Sequence, residues 1–367
     1  MEAIAVRDGR GGVHIVTVPV SAPPGTPLTI LRAGICGTDL QIASRVRGDR
    51  ASILGHEALA ITESIEPVIL NPVGTKDQDS ILGHDYDGVF RQRCQILSSD
   101  SGGPTLVPAN TELIADLAPL VEPLGAALYG WELVEKVLRP RKVGIWGGGF
   151  LGLACAILAS LHGAEVVVFC SSDSRAAWIR RRLTLRAESP SSSPEIRTLD
   201  AAFVCVPRTS AVDALGQAAK IVCSDGVVDL VGGVPHGVVI GSNPGADATE
   251  LRRGNVRGVS STPNGTTRVR REDGRWLHVT GHRGTSDSHL LQAQEILSQH
   301  STRFSRMISH VVSLRQGARM INQVCLGRSR TDTIGEEIVK VVIDPGQTVE
   351  RRDVDPDVSV GQLLLAG

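Results

Sequence analysis

The chain has 367 residues, a formal net charge of −1 and an ordinary apolar content. The length suggests two domains, and the balanced charge gives no reason to expect nucleic acid or an anionic membrane as a partner. The seven cysteines are scattered, and no segment has the pattern of a signal peptide or a membrane span. We therefore expect a cytoplasmic protein without a disulfide framework.

The N-terminal region alternates short β-like runs with turns. The runs AIAV, VHIVTV and LTILRA within residues 1–33 indicate an antiparallel, barrel-like region. This region leads to the segment CGTD at 36–39, and a later loop carries His56 and Glu57. Glu122 lies at the start of a predicted helix. A thiolate, an imidazole and a carboxylate are the kind of ligands that a catalytic zinc takes, about three from the protein with one position open.

The stretch 142–175 has the order strand, glycine turn, helix and strand. The elements are predicted at 142–147, 150–161 and 165–170. The turn contains G-x-G-x-x-G, in which backbone N–H groups at a helix N-terminus face a pyrophosphate. This context makes dinucleotide binding a specific prediction. The residues predicted to bind the cofactor at this turn are Gly147, Gly149, Phe150, Leu151 and Gly152.

The end of the second strand bears on which dinucleotide is bound. NAD is favoured by an acid at this place, which accepts hydrogen bonds from the ribose hydroxyls. This chain has Cys170, Ser171 and Ser172 there, followed by Asp173 and Arg175. Serines can donate to a 2′-phosphate and arginine can pair with it, so NADP(H) is favoured over NAD(H). The serines can equally cap the next helix, and both roles can hold together.

The C-terminal half continues the alternation of strands and helices. A strand at 201–206, a helix at 210–220 and a strand at 226–231 predict a doubly wound parallel sheet. Residues 241–276 are interpreted as an insertion that serves as a lid or a subunit interface, with a hairpin turn at the segment PNG. A strand, a turn with His282 and a helix follow, and this histidine is either a substrate or cofactor contact or part of a plain turn.

Three short motifs carry a family resemblance. GICGTDL, LGHE and VEPL, followed by the glycine turn, resemble the zinc-dependent medium-chain alcohol and polyol dehydrogenases, as do 308–324 and 338–345 near the end. The resemblance implies an α/β protein with a GroES-like β-barrel catalytic domain and a Rossmann domain containing a doubly wound parallel sheet. The implied ranges are a catalytic domain at 1–125, a Rossmann domain at 126–310, a return to the catalytic domain at 311–345 and a tail at 346–367.

The resemblance also implies roles for single residues. Cys36 and His56 would be fixed zinc ligands, with Glu57 as the usual third ligand and Glu122 close by or exchanging with water. The implied catalytic residues are Glu57, Thr38 as the hydroxyl that relays the alcohol proton, and Asp39 as a hydrogen-bond partner of the histidine ring. Lys340 is the implied cation for the cofactor pyrophosphate, and a solvated strand lysine is the alternative.

The chain departs from the family pattern in three ways. The region 71–93 lacks the four cysteines that hold a second, structural zinc, so we expect one catalytic zinc and no structural zinc. The segment after Glu57 is short, which indicates a trimmed barrel. Gln41 stands where the family often has histidine, and glutamine cannot shuttle a proton as imidazole does.

The predicted function is interconversion of a secondary alcohol, from a polyol, sugar or cyclitol, and its ketone, with hydride transfer to or from a nicotinamide. The predicted partner is this small-molecule substrate. Homodimers and homotetramers are usual in the family that the chain resembles, which suggests one of these assemblies. Two alternatives stay open. One is a zinc-free, NADPH-dependent reductase of quinones or enones on the same fold, and the other is a non-catalytic dinucleotide-binding protein.

Overall fold

The chain divides into two compact units in the computed structural model. One unit comprises Met1–Glu122 and Leu290–Gly367, and the other comprises Pro123–His289. The residues that the structure describes are 1–7, 11–19, 25–189, 198–242, 245–327, 330–347, 351 and 353–366. Among these residues, no helix combines the length and the apolar character that a bilayer crossing requires.

The first part of the first unit is built from strands. In chain order its elements are β1 (Glu2–Val6), β2 (Val13–Thr17), β3 (Thr26–Gly34), α1 (Gly37–Ala43), β4 (Glu57–Ile61), β5 (Pro67–Asn71), β6 (Arg93–Ile96) and β7 (Thr105–Pro108). Strands β1 and β2 form an antiparallel hairpin. Strand β3 pairs antiparallel with both β4 and β6, and β5 and β7 extend the sheet beyond β4. Alternating inward side chains of this sheet supply an apolar core.

The second unit carries the predicted alternation of strands and helices. Its elements are α2 (Val121–Glu135, whose first two residues belong to the first unit), β8 (Lys142–Trp146), α3 (Phe150–Leu161), β9 (Glu165–Phe169), α4 (Asp173–Leu183), β10 (Arg186–Glu188), β11 (Leu199–Val204), α5 (Ala211–Ile221), β12 (Val222–Leu230), β13 (Val239–Ile240), β14 (Ala246–Asp247), α6 (Ala248–Arg253), β15 (Asn255–Val256), β16 (Val259–Ser260), β17 (Thr267–Arg270) and β18 (Trp276–Gly281).

The main sheet of the second unit has seven strands in the order β10-β9-β8-β11-β12-β18-β17. All neighbours are parallel except β17, which runs antiparallel to β18 at one edge. The central strands are nearly continuous apolar runs because both faces of a parallel sheet are covered. The predicted doubly wound parallel sheet is therefore confirmed.

The predicted hairpin at PNG is wrong. Strand β17 follows this segment and pairs with β18, not with the strand before it. The hairpin lies earlier, between β15 and β16, and turns at Arg257 and Gly258. Both residues have positive φ, 51° and 81°, as a two-residue hairpin turn requires. Arginine at a positive-φ position is uncommon, which is why the residue pattern pointed to PNG instead.

The last part of the chain returns to the first unit. Its elements are α7 (Asp287–Gln299, which begins in the second unit), α8 (Ser301–Ser305), β19 (Ile308–Val312), α9 (Leu314–Cys325), β20 (Lys340–Ile343) and α10 (Val360–Ala366). Strand β19 is parallel to β20, and β20 is antiparallel to the end of β3. The sheet of the first unit therefore combines strands from both ends of the chain.

The described part of the tail is tied to the segment that precedes α2. Ala115 donates its N–H to the carbonyl of Val358, and Val360 donates to Leu113. The buried carboxylate of Asp116 pairs with Arg351 at 3.2 Å and with the buried guanidinium of Arg32 at 2.7 Å. These contacts fix the stretch of backbone that leads directly into the first turn of α2.

Candidate active site

Three strands meet where the candidate site begins. The end of β3 at Gly34 pairs with Glu57 at the start of β4 and with Val342 in β20. A Cβ atom at Gly34 would lie 2.3 Å from Oε2 of Glu57 and 2.9 Å from Nζ of Lys340. Only glycine leaves room for these two side chains over the strand.

Cys36, His56 and Glu57 converge directly beyond these strand ends. Their potential ligand atoms all lie within 4.8 Å of one another. Cys36 is the N-cap of α1, and the other two side chains are 5% and 1% exposed. A thiolate, an imidazole and a carboxylate at this separation form the donor set of a catalytic zinc site.

Asp39 fixes the backbone around these residues. Its carboxylate accepts the N–H of Cys36 at 2.8 Å and the N–H of Gly55 at 3.1 Å. The predicted hydrogen bond to the imidazole is not formed in this structure, since Nδ1 of His56 lies 3.8 Å from the carboxylate. Among the residues that the structure describes, this buried Nδ1 has no hydrogen-bond partner. A small rotation of the ring would give it Asp39 as an acceptor, as ligand histidines usually have.

The site has the electrostatic character of a cation-binding site. Burial lowers the pKa of the His56 imidazole, but the neighbouring Cys36, Asp39 and Glu57 outweigh burial and raise this pKa to about 10. Burial also raises the pKa of the Glu122 carboxyl to about 7, against the attraction of His56. The raised pKa of the imidazole indicates a negative electrostatic potential in the cluster. A bound metal ion would neutralise this potential in place of the proton. The residues present therefore fit zinc.

Lys340 lies inside this cluster. Its ammonium group pairs with Oε2 of Glu57 and donates to the carbonyl of Ile35 at 3.2 Å. Both members of the ion pair are 1% exposed. The alternative of a solvated strand lysine is therefore wrong, while the predicted role on the cofactor pyrophosphate stays a prediction. The pairing itself was not predicted from the sequence.

His84 packs against the imidazole of His56. The two ring centroids are 4.8 Å apart, with an interplanar angle of 79°. The loop that carries His84 approaches the backbone of Gly55 so closely that only glycine fits at two of its positions. A Cβ at Gly83 would lie 2.4 Å, and one at Gly88 2.1 Å, from the carbonyl oxygen of Gly55. Two glycines spaced around a histidine were the available signal for this contact.

Two further residues considered from the sequence, Thr38 and Gln41, lie on α1. Thr38 is in the first turn of α1 and is half-buried. Gln41 donates to the carbonyl of Gly37 one turn earlier, at 3.4 Å. The proton-relay role of Thr38 therefore stays a prediction.

The glycine turn of the second unit has the geometry that a pyrophosphate requires. Gly147 has a φ of 118°, and a Cβ there would lie 2.7 Å from the carbonyl of Cys205. A Cβ at Gly152 would lie 2.0 Å from the carbonyl of Gly147, whereas one at Gly149 would meet no atom of the described residues within 4 Å. Helix α3 begins after Gly149 without a side-chain cap. The first and third glycines permit close packing and the second leaves space for a ligand, so the residues fit a dinucleotide.

Of the two roles considered for the residues after β9, the structure shows the helix cap, and the contact with a 2′-phosphate stays a prediction. Ser172 is the N-cap of α4 and accepts the N–H of Arg175 at 3.3 Å. The Arg175 guanidinium donates to the carbonyl of Gly148 at 3.1 Å, so this side chain lies against the glycine turn. The carboxylate of Asp173 accepts a hydrogen bond from the hydroxyl of Ser189. Ser171 is exposed.

Known proteins resemble this chain in sequence and in fold. No protein-family profile matches the sequence. Glucose 1-dehydrogenase 1 of Caldivirga maquilingensis is 28% identical over 244 residues, which are 57% of this chain and 68% of that protein. Galactitol-1-phosphate dehydrogenase of Escherichia coli superimposes with a TM-score of 0.68 at 16% identity, over 94% of this chain and 100% of its own.

A third protein, the glucose dehydrogenase of Haloferax mediterranei in complex with NADP, zinc and gluconolactone, has a TM-score of 0.66 at 16% identity, over 95% of this chain and all of its own. The chain has the fold of the zinc-binding alcohol and polyol dehydrogenases. The resemblance inferred from the three motifs is thus confirmed, as is the α/β class with a GroES-like unit and a Rossmann unit. Within this dehydrogenase fold, the individual site residues remain predictions.

Proposed function

We propose that this chain is a zinc-dependent oxidoreductase that interconverts a secondary alcohol and its ketone with a nicotinamide cofactor. The observation that carries the proposal is the convergence of Cys36, His56 and Glu57 within 4.8 Å. Its first unit thus offers a metal site, and its second unit offers a dinucleotide turn. The similarity to glucose and galactitol-1-phosphate dehydrogenases supports a polyol, sugar or cyclitol as the substrate class.

Cys36 and His56 would hold the zinc together with Glu57 or Glu122. When bound, the metal supplies Lewis-acid polarisation of the alcohol oxygen. The protein residues prepare the site for this chemistry. Asp39 holds the Cys36 and Gly55 backbones together through its two hydrogen bonds. Thr38 would relay the alcohol proton, accepting it as its own hydroxyl proton leaves, and Gln41 could not carry that proton further as an imidazole would.

We further propose that the protein prefers NADP(H). Ser171 and Ser172 would donate to the 2′-phosphate, and Arg175 would add positive charge near the turn. NADP is also the cofactor bound by the Haloferax mediterranei glucose dehydrogenase. We also propose that the protein is a cytoplasmic homodimer or homotetramer.

The cofactor preference predicts the result of one substitution. Ser171→Asp places a carboxylate at the end of β9, where it repels a 2′-phosphate and accepts from ribose hydroxyls. We expect the ratio of kcat/KM for NADP to that for NAD to fall by about 10-fold or more, corresponding to about 1.4 kcal/mol. Ser224→Asp is the matched control because it adds the same charge at an exposed position near the start of β12, at the opposite edge of the parallel sheet. Equal ratios in all three proteins would remove Ser171 from the cofactor site.

The proposed reaction is tested by metal content and activity together. Elemental analysis of chelator-washed protein is expected to give about one zinc per chain, as a single catalytic site implies. The same protein is expected to reduce NADP with a polyol or sugar from a substrate screen. Nucleotide binding without zinc would support the zinc-free reductase or the non-catalytic alternative. Two zinc ions per chain would contradict the prediction that the structural site is missing.

A further inference from the structure

The loop that carries His84 is tied by hydrogen bonds to the segment that precedes His56. Ala51 donates its N–H to the carbonyl of His84 at 2.8 Å. The carboxylate of Asp87 accepts two backbone N–H groups of that segment, each at 2.9 Å. Further backbone hydrogen bonds continue this pairing, from Gly88 to Ile53, from Val89 to Gly55 and from Phe90 to Leu54. The backbone of His84 is therefore held in place relative to the backbone of His56.

Within its loop, His84 lies in a tight turn. The carbonyl of Ile81 accepts the N–H of His84 at 3.1 Å and that of Asp85 at 2.9 Å. Gly83 donates to the carbonyl of Tyr86 at 2.8 Å and has a φ of 74°, which glycine adopts without strain. The hydrogen-bonded turn leaves His84 freedom mainly about its own side-chain bonds, and burial restricts that freedom, since the residue is 9% exposed.

The imidazole of His84 contacts the imidazole of His56 in an edge-to-face arrangement. The centroid separation of 4.8 Å and the interplanar angle of 79° lie in the range that aromatic rings prefer. Both residues are buried, so little water competes for the contact. Because the backbones of both residues are fixed, the contact restricts the rotation of the His56 ring.

This restriction matters because the usual orienting hydrogen bond of a ligand histidine is not formed here. Such a histidine commonly donates its second ring N–H to a carboxylate or a carbonyl, which fixes the ring orientation. Nδ1 of His56 lies 3.8 Å from Asp39, beyond hydrogen-bond distance. The two oxygens of Asp39 instead accept the N–H groups of Cys36 and Gly55. Packing against His84 is thus a second way to orient the imidazole.

We propose that His84 is a positioning residue of the zinc site. Its ring holds the His56 imidazole in the orientation that brings a ring nitrogen within 4.8 Å of the ligand atoms of Cys36 and Glu57. Less conformational freedom is then lost when the metal binds, which strengthens binding. The inference rests on the proposed function, because it requires a metal bound to His56. It adds a ligand-orienting group that comes from a separate loop and acts by packing.

The test compares metal binding in variants that keep or remove the ring at this position. His84→Phe keeps an aromatic ring, whereas His84→Asn keeps a polar side chain without a ring. Titration of chelator-washed protein with Co²⁺, in competition with a chelator, gives the affinity and the visible absorption bands of the bound ion. We expect H84N to bind Co²⁺ about 10-fold more weakly than the wild type or worse, as loss of an outer contact to a metal ligand implies. H84F is expected to match the wild type in affinity and in spectrum.

Ile81→Ala is the matched control for a loosened loop. It removes a buried side chain from the same turn and leaves the imidazole of His84 unchanged. The urea midpoint of I81A should fall while its Co²⁺ affinity stays that of the wild type.

Three results would overturn the positioning role of His84. They are wild-type affinity in H84N, an I81A protein that binds as weakly as H84N, and an H84F protein that does so, since the ring nitrogens and not the packing would then be needed. A wild type that binds no metal would contradict the proposed zinc site itself, so the two failures are distinguishable.

Discussion

Replacing Cys36 by serine is expected to abolish zinc binding and to lower kcat/KM for alcohol oxidation by about 1,000-fold or more. The expected size follows because a Lewis-acidic metal supplies several kcal/mol to the barrier and each ~1.4 kcal/mol is a factor of ten in rate. A hydroxyl is a much weaker ligand for zinc than a thiolate. Elemental analysis and steady-state kinetics on the same preparation measure the two effects together.

Cys94→Ser is the matched control for this substitution. Cys94 lies in β6 of the same unit and is buried in its core, where burial raises the pKa of the thiol to about 11. Serine there costs stability but removes no ligand, so the zinc content should stay at one per chain. NADP binding should be unchanged in both variants, since the glycine turn belongs to the second unit. A C36S protein with an undiminished rate would contradict the zinc mechanism.

The secondary structure around the glycine turn could be predicted because its signals are local. The apolar spacing from Phe150 to Leu161 and the glycines beside it predicted helix α3 with the bounds that the structure has. Strand β9 ends one residue earlier than expected, an ordinary uncertainty at element ends. A helix and its cap are determined by residues within a few positions of one another, so a sequence window contains the relevant information.

The pairings within the site could not be predicted in the same way. Lys340 reaches Glu57 across 283 positions of sequence, and it does so because β20 joins the sheet beside the end of β3. Strands β12 and β18 are likewise neighbours despite the intervening insertion. Such contacts depend on strand order, which residue periodicity does not contain. The family resemblance predicted that Cys36, His56 and Glu57 lie close together, but it did not indicate which group neutralises the glutamate.

The Glu57–Lys340 pair leads to the second large expected effect. Lys340→Met removes the ammonium and leaves a buried carboxylate without its cation, since both side chains are 1% exposed. Breaking a buried ion pair from one side costs roughly 3–5 kcal/mol, so we expect a loss of this size in the free energy of unfolding of chelator-treated K340M. Urea denaturation with and without added zinc measures it, because a metal bound to Glu57 would replace the missing positive charge.

Comparing K340M with and without added zinc bears on which glutamate is the third zinc ligand. If Glu57 binds the metal, zinc should restore more stability to K340M than to the wild type, and Glu57→Gln combined with K340M should cost less than the sum of the single changes. If K340M loses the same stability with and without zinc, Glu57 is held by Lys340 alone. Glu122, whose carboxyl pKa is raised to about 7 by burial in the same cluster, would then complete the site with Cys36 and His56.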